Sequence, residues 1–505
     1  MELKVFRDTL SAAGSFCTVQ SEIPMETEIL ISDYLPQVFK IVKCFVKLVV
    51  LQKQLQQGRL TLDGYLRCIV YYQGEDGTGL CQTEQKIPFT KVLETPQFDF
   101  SIWSASVGGE TEYLNCRAVN QRRVEVRGAY AISACIFTQL QKEIVSTVAE
   151  GGIQQKTMEL KGVRNLANID KLITGDAEFS FDEAPTAVLD ITGEAVVREV
   201  KVIAGKAIIK GEMEVALAYR SDSSDGLKGQ MVQVPFHQIV DIEGVTEDCA
   251  CLCTVEPVGF SVLGGVEESG QSQISASALL HLRAYRGYEI NGVADLFSTE
   301  AVTDVSYEPL AIETFEKALD DLITISATAQ LPEDSAQLMA AFGSLSMPEV
   351  ISAGDKAVLH AKGIVTVFCK NSLDEIESHD KAIEISWPLA TNAPSDQLHL
   401  ESWLSIEQLD CNYHAGQLEM TLGVRVRGVL LSRYTAMSVA EVHLGDDLQP
   451  QDPEVSLRIY YANAGEGVFE IARRFHVSPS DMMQANALEA EMLSTSRRLL
   501  VPGVG

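Results

Sequence analysis

Basic residues are scarce in this chain. Of its 505 residues, 40 are lysine or arginine and 70 are aspartate or glutamate, which gives a formal net charge of −30. Binding to nucleic acid or to an anionic membrane surface depends on clustered Lys and Arg side chains, so this balance argues against both kinds of partner. We find no apolar run of about 18 residues, the length that a membrane-spanning helix needs. We therefore expect no membrane insertion.

Signals for export and for common catalytic sites are also missing. Charges interrupt the N-terminal run Met1 to Asp8, which lacks the apolar stretch of a secretory signal, so we expect a cytoplasmic protein. There is no phosphate-binding loop, Gly-x-Ser-x-Gly elbow or His-Glu-x-x-His motif. The eight histidines lack metal-ligand spacing, and His281 and His360 have the pattern of strand positions. The acidic pairs Asp320-Asp321 and Asp446-Asp447 are typical of solvated faces. We predict a protein that is not an enzyme and that uses no cofactor.

The eleven cysteines include no Cys-x-x-Cys pair. Most lie inside apolar strand-like runs, where a free cysteine behaves as a small buried hydrophobe, and cytosolic thiols stay reduced. The run Cys249-Ala250-Cys251-Leu252-Cys253 is the one place that suggests a metal. On a strand its three thiols would share one face and would diverge too far for compact tetrahedral zinc. We predict eleven reduced thiols and no metal site.

Three landmarks recur in the same order along the chain. The first is a Leu-Pro or Ala-Pro step, at Pro36, Pro185 and Pro332. The second is a glycine before a strand, at Gly58, Gly205 and Gly354. The third is an apolar-Pro-apolar step, at Pro88, Pro235 and Pro388. Like landmarks lie 147 to 153 residues apart. This spacing predicts three copies of one domain, in which the three apolar-Pro-apolar steps occupy equivalent places.

Each copy has the pattern of antiparallel β-structure. Apolar and polar residues alternate after each turn glycine, as they do from Leu60 to Tyr72, which indicates a strand with one buried face. A further glycine interrupts each of these strands, at Gly64, Gly211 and Gly363. A mid-strand glycine often marks a bulge or a close backbone approach. The segments 134–150 and 311–322 fit either a strand or a helix.

We therefore predict a mainly β fold with three repeated antiparallel β-sandwich-like domains and a small βααβ domain at the C-terminus. The predicted divisions are an N-terminal segment 1–24, repeats 25–175, 176–325 and 326–445, a polar linker 446–456 and a C-terminal domain 457–505.

The C-terminal segment departs from the repeated pattern. A strand is indicated at 457–461 and another at 499–502. Between them, apolar residues at helical spacing form one face of a first helix: Val468, Ile471, Ala472 and Phe475. Ser478 followed by Pro479 is typical of the start of a second helix, and Asn486 indicates the end of that helix.

This segment, from Tyr461 to Pro502, resembles a LysM domain. The resemblance depends on Gly465-Glu466, Ile471-Ala472, Phe475, Val477-Ser478, Asn486 and Leu500-Val501-Pro502. LysM domains commonly bind glycans that contain N-acetylglucosamine, such as peptidoglycan or chitin. The resemblance implies a groove formed by Gly465, Glu466, Gly467, Val468 and Phe469 on one side and by Asn486, Ala487 and Leu488 on the other. The family usually has Gly-Asp-Thr-Leu where this chain has Gly465-Glu466-Gly467-Val468, so a hydroxyl that could cap the helix or meet a sugar is missing. Partner binding, glycan binding and a purely structural use remain alternatives.

The three copies joined to such a tail resemble the SPOCS (sporulation coat) domain proteins of endospore-forming Firmicutes. The resemblance depends on Ser32 to Pro36, Gly58 to Gly64, Ile87-Pro88-Phe89 and their counterparts in the other copies. It implies a non-catalytic assembly role in the mother cell, at the forespore surface or in the spore coat. The implied partner of the tail is a coat-assembly protein, with the coat-basement ATPase as one candidate, and peptidoglycan is the alternative. A cell-wall hydrolase is the rival function, and it predicts one upstream region unlike the other two.

The charge of the tail supports a docking role. From residue 454 onward it has five arginines and six acidic residues, so it can approach an acidic partner that the rest of the chain would repel. The acidic linker predicts a tail that reaches away from the repeats. Phe469 is the anchor candidate, because aromatic residues often contribute much of the binding energy of an interface. A core position for Phe469 is the alternative.

Overall fold

The computed structural model describes residues 3–75, 79–150, 152–221, 227–263, 271–332, 335–353, 356–414, 416–448 and 458–502. Strands make up most of these residues, and their pairs in the sheets are antiparallel, so the predicted mainly β fold is confirmed. None of the helices in these ranges has the length and apolar character to cross a bilayer. The landmark Gly354 and most of the predicted linker lie outside the described residues.

The first unit has six strands in two sheets. They are β1 (Lys4–Leu30), β2 (Val38–Gln56), β3 (Arg59–Gly74), β4 (Leu80–Glu94), β5 (Ile102–Asn120) and β6 (Arg123–Ala149). One sheet has the order β1-β6-β5 and the other has the order β2-β3-β4. Alternate side chains of both sheets, such as Ile132 of β6 and Leu66 of β3, enter one shared core cluster. The alternating residues after Gly58 therefore form one buried face of β3, as predicted, but the opposite face is not solvated throughout, because Arg67, Ile69 and Tyr71 on that face are also buried.

The second unit repeats this order of strands. They are β7 (Ile153–Phe179), β8 (Pro185–Ile203), β9 (Lys206–Ser221), β10 (Leu227–Asp241), β11 (Ala250–Leu263) and β12 (Ser272–Ser298). The two sheets have the orders β11-β12-β7 and β10-β9-β8, and they enclose a second core cluster.

The third unit has the same plan with one strand divided. Its strands are β13 (Ala301–Gln330), β14 (Ser335–Leu345), β15 (Glu349–Ala353), β16 (Lys356–Asn371), β17 (Ile376–Pro388), β18 (Leu398–His414) and β19 (Gln417–Asp447), with a 3-10 turn at Ser395–Gln397. One sheet has the order β13-β19-β18; in the other, β14, β15 and β17 all pair with β16. A third core cluster lies between them. The segments 134–150 and 311–322, left open between helix and strand, lie in β6 and β13.

Strand pairing groups the chain differently from the predicted divisions. The segment 1–24 contains most of β1, which pairs with β6 along nearly its whole length. The predicted divisions after residues 175 and 325 fall inside β7 and β13. Each long first strand pairs with the long last strand of the same unit, about 120 residues later, and this partner cannot be recognised from local sequence.

The mid-strand glycines coincide with irregularities in the neighbouring strand. Opposite Gly64, the register of β2 shifts between Val50 and Gln52, which is a bulge. The same shift occurs in β8 opposite Gly211. In the third unit, Gly363 lies opposite the end of β14; beyond this point β15 replaces β14 as the strand that pairs with β16. The expected irregularity at the glycines is thus confirmed.

The apolar-Pro-apolar steps are equivalent in only two units. Pro88 and Pro235 each lie opposite the residue that follows the mid-strand glycine of the central strand. Pro388 instead lies opposite Val358, five residues before Gly363. The predicted equivalence of Pro388 is therefore wrong. Each of the three prolines lies in an outer strand of its sheet. An outer strand tolerates a proline because its outward-facing N–H groups need no partner in the sheet, and this holds at many positions along the strand.

The three units meet at a common centre. A core cluster between them takes one leucine from the first strand of each unit, Leu10, Leu160 and Leu310, which are 150 positions apart. A second shared cluster draws on the last strands, with Val145, Val293 and Val439 among its members. The repeat is therefore present in the packing between units as well as within them.

Polar contacts between the units follow a cyclic order. The Tyr288 hydroxyl of the second unit donates to the backbone oxygen of Ser11 in the first unit, at 2.6 Å. The Tyr434 hydroxyl of the third unit donates to the backbone oxygen of Lys161 in the second, at 2.9 Å. Lys142 of the first unit pairs with Glu308 of the third at 2.6 Å. The three units thus form a closed ring of contacts, which we call the body (residues 3–448).

The tail (residues 458–502) has the predicted order of strand, helix, helix and strand. Its elements are β20 (Arg458–Ala462), α1 (Val468–Phe475), α2 (Pro479–Ala485) and β21 (Arg497–Val501), and β20 pairs with β21. The apolar face of α1 enters the tail core, as its spacing predicts. Ser478 and Asn486 are the residues that flank α2, although the Ser478 hydroxyl contacts that of Ser480 instead of capping the helix.

Candidate docking site on the C-terminal tail

The first side of the predicted groove is a tight loop before α1. Gly465 has a φ of +89°, a backbone conformation that favours glycine. Its N–H donates to the Leu493 oxygen at 2.7 Å, and the Val468 N–H donates to the Glu491 oxygen at 2.7 Å. One Glu466 carboxyl oxygen accepts hydrogen bonds from Tyr460 and from a neighbouring asparagine, both at 3.3 Å. These bonds fix the loop against the segment that precedes β21.

The second side of the predicted groove is fixed by Asn486. Its amide nitrogen donates to the Met482 oxygen at 2.9 Å and to the Leu500 oxygen at 2.8 Å, and its side-chain oxygen accepts from the Leu500 N–H at 2.6 Å. Ala487 is exposed with a φ of +50°, and Leu488 packs against the tail core. Asn486 therefore joins α2 to β21.

The predicted groove residues differ in their access to a partner. Gly465 and Ala487 are exposed, whereas Gly467 is buried. Val468 is 1% exposed and belongs to the tail core. Phe469 is 8% exposed, so its ring is not open to a partner in this arrangement. Of the two alternatives for Phe469, the structure favours the buried one.

Phe469 is buried against the body. Its ring lies 5.2 Å from the ring of Phe297 in β12, in an edge-to-face arrangement. The Lys156 ammonium of β7 lies 5.9 Å from the centre of the Phe469 ring and 2.9 Å from a Glu470 oxygen. Phe297 is itself a member of the tail core cluster. The expectation of a tail that reaches away from the body is therefore not met in this structure.

Ionic and polar contacts extend this interface along α1. One guanidinium nitrogen of Arg473 donates to both carboxyl oxygens of Asp295, at 2.9 and 2.7 Å. The Tyr307 hydroxyl donates to the same carboxyl group at 2.6 Å. One ring nitrogen of His476 lies 3.2 Å from the backbone oxygen of Ser298. We call the side of α1 formed by Phe469, Glu470, Arg473 and His476 the docking face.

The interface is not closely packed throughout. A cleft of about 400 Å³ remains between the tail and the body, lined by Phe297, Val302, Thr303, Glu470, Arg473, Arg474 and His476. Close packing is what makes an interface stable, because voids lose the attraction between neighbouring atoms. The tail is thus held by a few specific contacts around an open cleft.

Buried polar residues that the sequence analysis did not single out connect the three units. Glu401 of β18 is 4% exposed, and its oxygens accept hydrogen bonds from Ser104 of the first unit at 2.7 Å and from Tyr285 of the second at 2.9 Å. The Arg283 guanidinium lies 3.8 Å away. We call these residues, with Gln139, Glu313, His399 and Arg433, the junction network.

Glu313 is the second buried carboxyl group of the junction network. It accepts hydrogen bonds from Gln139 of the first unit at 3.1 Å and from Arg433 at 3.3 Å, and one of its oxygens lies 3.1 Å from a His399 ring nitrogen. Burial alone would raise its pKa, but the hydrogen bond to His399 and the other favourable partners lower the pKa to about 2. The only sequence signal for this network is a few polar residues at inward positions of otherwise apolar strands.

A further buried ionic contact joins the first two units. The Lys53 ammonium of β2 lies 2.8 Å from a carboxyl oxygen of Asp170 in β7. The other Asp170 oxygen lies 2.8 Å from His281 and 3.1 Å from Arg283. Burial lowers the pKa of Lys53. Burial would raise the pKa of Asp170, but hydrogen bonding to His281 and the charges of Lys53 and Arg283 hold it below its usual range. His281 is thus a strand residue whose ring contacts the buried carboxyl group that pairs with Lys53.

The cysteine run packs into the core of the second unit, although only Cys251 and Cys253 lie in β11 and Cys249 lies in the bend just before it. Cys249, Cys251 and Cys253 all contribute to the core cluster of the second unit. Burial raises the pKa of Cys251 to about 11 and that of Cys253 to about 12, which disfavours the thiolate form that binds metals. These three cysteines are free thiols. Within the described residues, no three His, Cys, Asp or Glu side chains are arranged to hold a metal ion.

The other polar residues singled out from the sequence lie in strands. His360 lies in β16, and its ring is 3.4 Å from a Glu349 oxygen. Asp320 accepts from Arg427 at 3.2 Å on the exposed side of β13, and Asp321 lies 3.7 Å from Lys317. Asp320 and Asp321 thus lie on an exposed face, as the sequence predicts for this pair.

Comparison with known proteins identifies one family in the body. A family model described as "SipL, SPOCS domain" matches residues 37–119 and 186–262. The first match covers β2 to β5, and the second covers the corresponding strands β8 to β11, except for the ends of the terminal strands. Two segments at equivalent places of two units are thus similar to the SPOCS domain. No curated protein and no solved structure matches the chain.

Proposed function

We propose that this chain is a non-catalytic assembly adaptor in the morphogenesis of the spore coat or envelope, with its tail as the partner-docking module. The observation that supports this most directly is the pair of SPOCS matches at equivalent places of the body, since the resemblance of the sequence to SPOCS (sporulation coat) domain proteins implies a role in coat assembly. Apart from one divided strand, the third unit has the same strand plan, so the described residues of the body include no region of different architecture that would be set aside for catalysis. This favours the adaptor over the hydrolase.

The partner of the tail is, in this proposal, a coat-assembly protein, and the coat-basement ATPase is one candidate. The resemblance of the tail to LysM domains supports a binding role. The tail is also the part of the chain in which arginines balance acidic residues, whereas the whole chain has a net charge of −30. A partner with an acidic surface would be repelled least by the tail. The proposed location is the mother-cell cytoplasm, at the forespore surface or in the coat.

The test is the location of fluorescent fusions in a sporulating host. We expect the full chain to collect around the forespore and a truncation after Asp452 to remain diffuse. Val468→Asp should reproduce the truncation, because it places a charge in the tail core. Asp481→Ala, on the exposed side of α2, is the matched control and should behave as the full chain. Normal location of the truncation would contradict the docking role of the tail.

Two further assays separate the alternatives. Co-sedimentation with purified peptidoglycan by the full chain but not by the truncation, together with unchanged location in the cell, would replace the adaptor proposal with glycan binding. A clearing band on a peptidoglycan zymogram would contradict a non-catalytic protein.

A further inference from the structure

The docking face of the tail is occupied by a short extended segment of the body. Along β12, the side chains of Asp295 and Phe297 contact the tail, whereas Leu296 between them is fully buried in the core shared by the units. This is the alternation of a strand, in which every second residue points to one face. The segment therefore presents an acidic residue two positions before an aromatic residue.

The tail meets each part of this segment with a matching group. Arg473 binds the Asp295 carboxyl group through both of its oxygens, Phe469 packs against the Phe297 ring, and the His476 ring lies next to the Ser298 oxygen. These contacts combine a charge-assisted hydrogen bond, an aromatic pair and a backbone contact. Peptide recognition in general relies on the same combination of side-chain pockets and main-chain bonds.

We propose that the docking face is a recognition site for an extended peptide segment with an acidic residue two positions before an aromatic one, and that Asp295–Ser298 fills this site within the chain until a partner with the same pattern displaces it. This inference rests on the proposed docking role of the tail. The open cleft beside Arg473 and Arg474 shows that the internal segment does not fill all of the available space. A partner segment can therefore gain contacts that the internal segment lacks.

The internal segment competes with an advantage that comes from its attachment to the same chain. Tethered groups meet at an effective concentration in the millimolar range for short connections, so an external peptide with similar contacts binds the closed chain weakly. Removal of the internal contacts removes this competition without changing any residue of the tail itself. The proposal is therefore tested with substitutions in the body and a binding measurement on the tail.

The probe is a fluorescent synthetic peptide with the sequence of residues 291–301, and the protein is the full chain. The opened variant carries Asp295→Asn and Phe297→Ala. We expect it to bind the peptide at least tenfold more tightly than the unsubstituted chain, by fluorescence anisotropy. Glu289→Gln is the matched control, since Glu289 lies on the same strand and pairs with Lys161 at 2.9 Å away from the docking face. It should bind as weakly as the unsubstituted chain.

A second variant keeps the test decisive if the double substitution impairs folding. Lys156→Ala removes the partner of Glu470 from the neighbouring strand β7, and it should also strengthen peptide binding. Arg473→Ala added to either opened variant should abolish binding. Hydrogen exchange should be faster at residues 468–476 in the opened variants and unchanged at the paired strands β20 and β21.

Three results would overturn the proposal: no peptide binding by either opened variant, equal binding by the unsubstituted chain, or binding that survives Arg473→Ala. None of these depends on the cellular partner. Failure here would leave the fusion experiment on the truncation unaffected, and failure of that experiment would leave the peptide result unaffected.

Discussion

Removal of the Glu401 side chain should weaken the junction of the three units. In Glu401→Ala, Ser104 and Tyr285 lose their hydrogen-bond acceptor and Arg283 loses a nearby carboxyl group, all at positions shielded from water. Loss of one partner of a buried ionic contact typically costs about 3–5 kcal/mol, because the remaining polar groups stay buried without compensation. We expect a loss of stability in this range.

The change in melting temperature then reports how much of the body unfolds together. An unfolding entropy of about 2.1 cal/mol/K per residue amounts to about 1 kcal/mol/K for the whole chain and about 0.3 kcal/mol/K for one unit. A loss of about 4 kcal/mol would lower Tm by about 4 °C if the body unfolds in one transition, and by about 13 °C if a single unit unfolds alone. Differential scanning calorimetry measures both the shift and the number of transitions.

Two companion variants make the result interpretable. Tyr285→Phe removes only one hydroxyl donor and should cost less than Glu401→Ala, about 1.5–3 kcal/mol for a hydrogen bond to a charged group. Glu419→Ala removes an exposed carboxyl group from β19 and should change stability by no more than about 0.5 kcal/mol. If Glu401→Ala were as mild as Glu419→Ala, the reasoning that the junction network holds the units together would be refuted.

Three other outcomes are expected. The folded-state pKa of Glu313 is lowered to about 2, partly by His399. Its contribution to stability, about 3 kcal/mol, should therefore be present above the ordinary carboxyl pKa and be lost as the pH falls towards 2. The stability of Glu313→Gln, measured by urea unfolding, should depend less on pH between about 5 and 2 than that of the unsubstituted chain. Gly211→Ala would place a Cβ 2.3 Å from a backbone oxygen, and it should lower the urea midpoint by the equivalent of about 1–3 kcal/mol. Gly229→Ala is the control and should have little effect, because no atom lies within 4 Å of the added Cβ. Equal effects of the two substitutions would contradict the steric argument. In calorimetry, Val468→Asp should remove the transition of the tail and retain that of the body, because Phe297 is the one residue of the body among the buried residues of the tail core cluster; loss of both transitions would contradict this reasoning.

Local sequence pattern predicted the strands of the body well and their partners poorly. The alternation after Gly58 and the bulge opposite Gly64 follow from two-residue periodicity and from the space that glycine leaves, both of which act within a few residues. The pairing of β1 with β6 joins residues 93 to 145 positions apart, so residues 1–24 gave no sign of belonging to the first sheet. Pro388 was misplaced because a proline in an outer strand is tolerated at many positions.

The tail shows the same division between local and distant information. The face of α1 that enters the tail core follows from helical spacing, and Asn486 was recognised as the end of α2. The burial of Phe469 against Phe297 depends on a residue in another unit, which the spacing within α1 cannot indicate. Likewise, Glu401 was one of many acidic residues in the sequence until the fold placed Ser104 and Tyr285 beside it.

The cyclic contacts between the units limit how copies of this chain can associate. In an open solenoid, the terminal repeat exposes the same face that its predecessor has buried, so further repeats or further molecules can add to the end. Here the third unit returns to the first: Arg7 donates to the Ala440 oxygen at 3.2 Å, and Arg433 donates to the Gly14 oxygen at 3.3 Å. Within the described residues, the first and third units therefore contact each other at the place where an open array would add its next repeat, and head-to-tail growth would require these contacts to break.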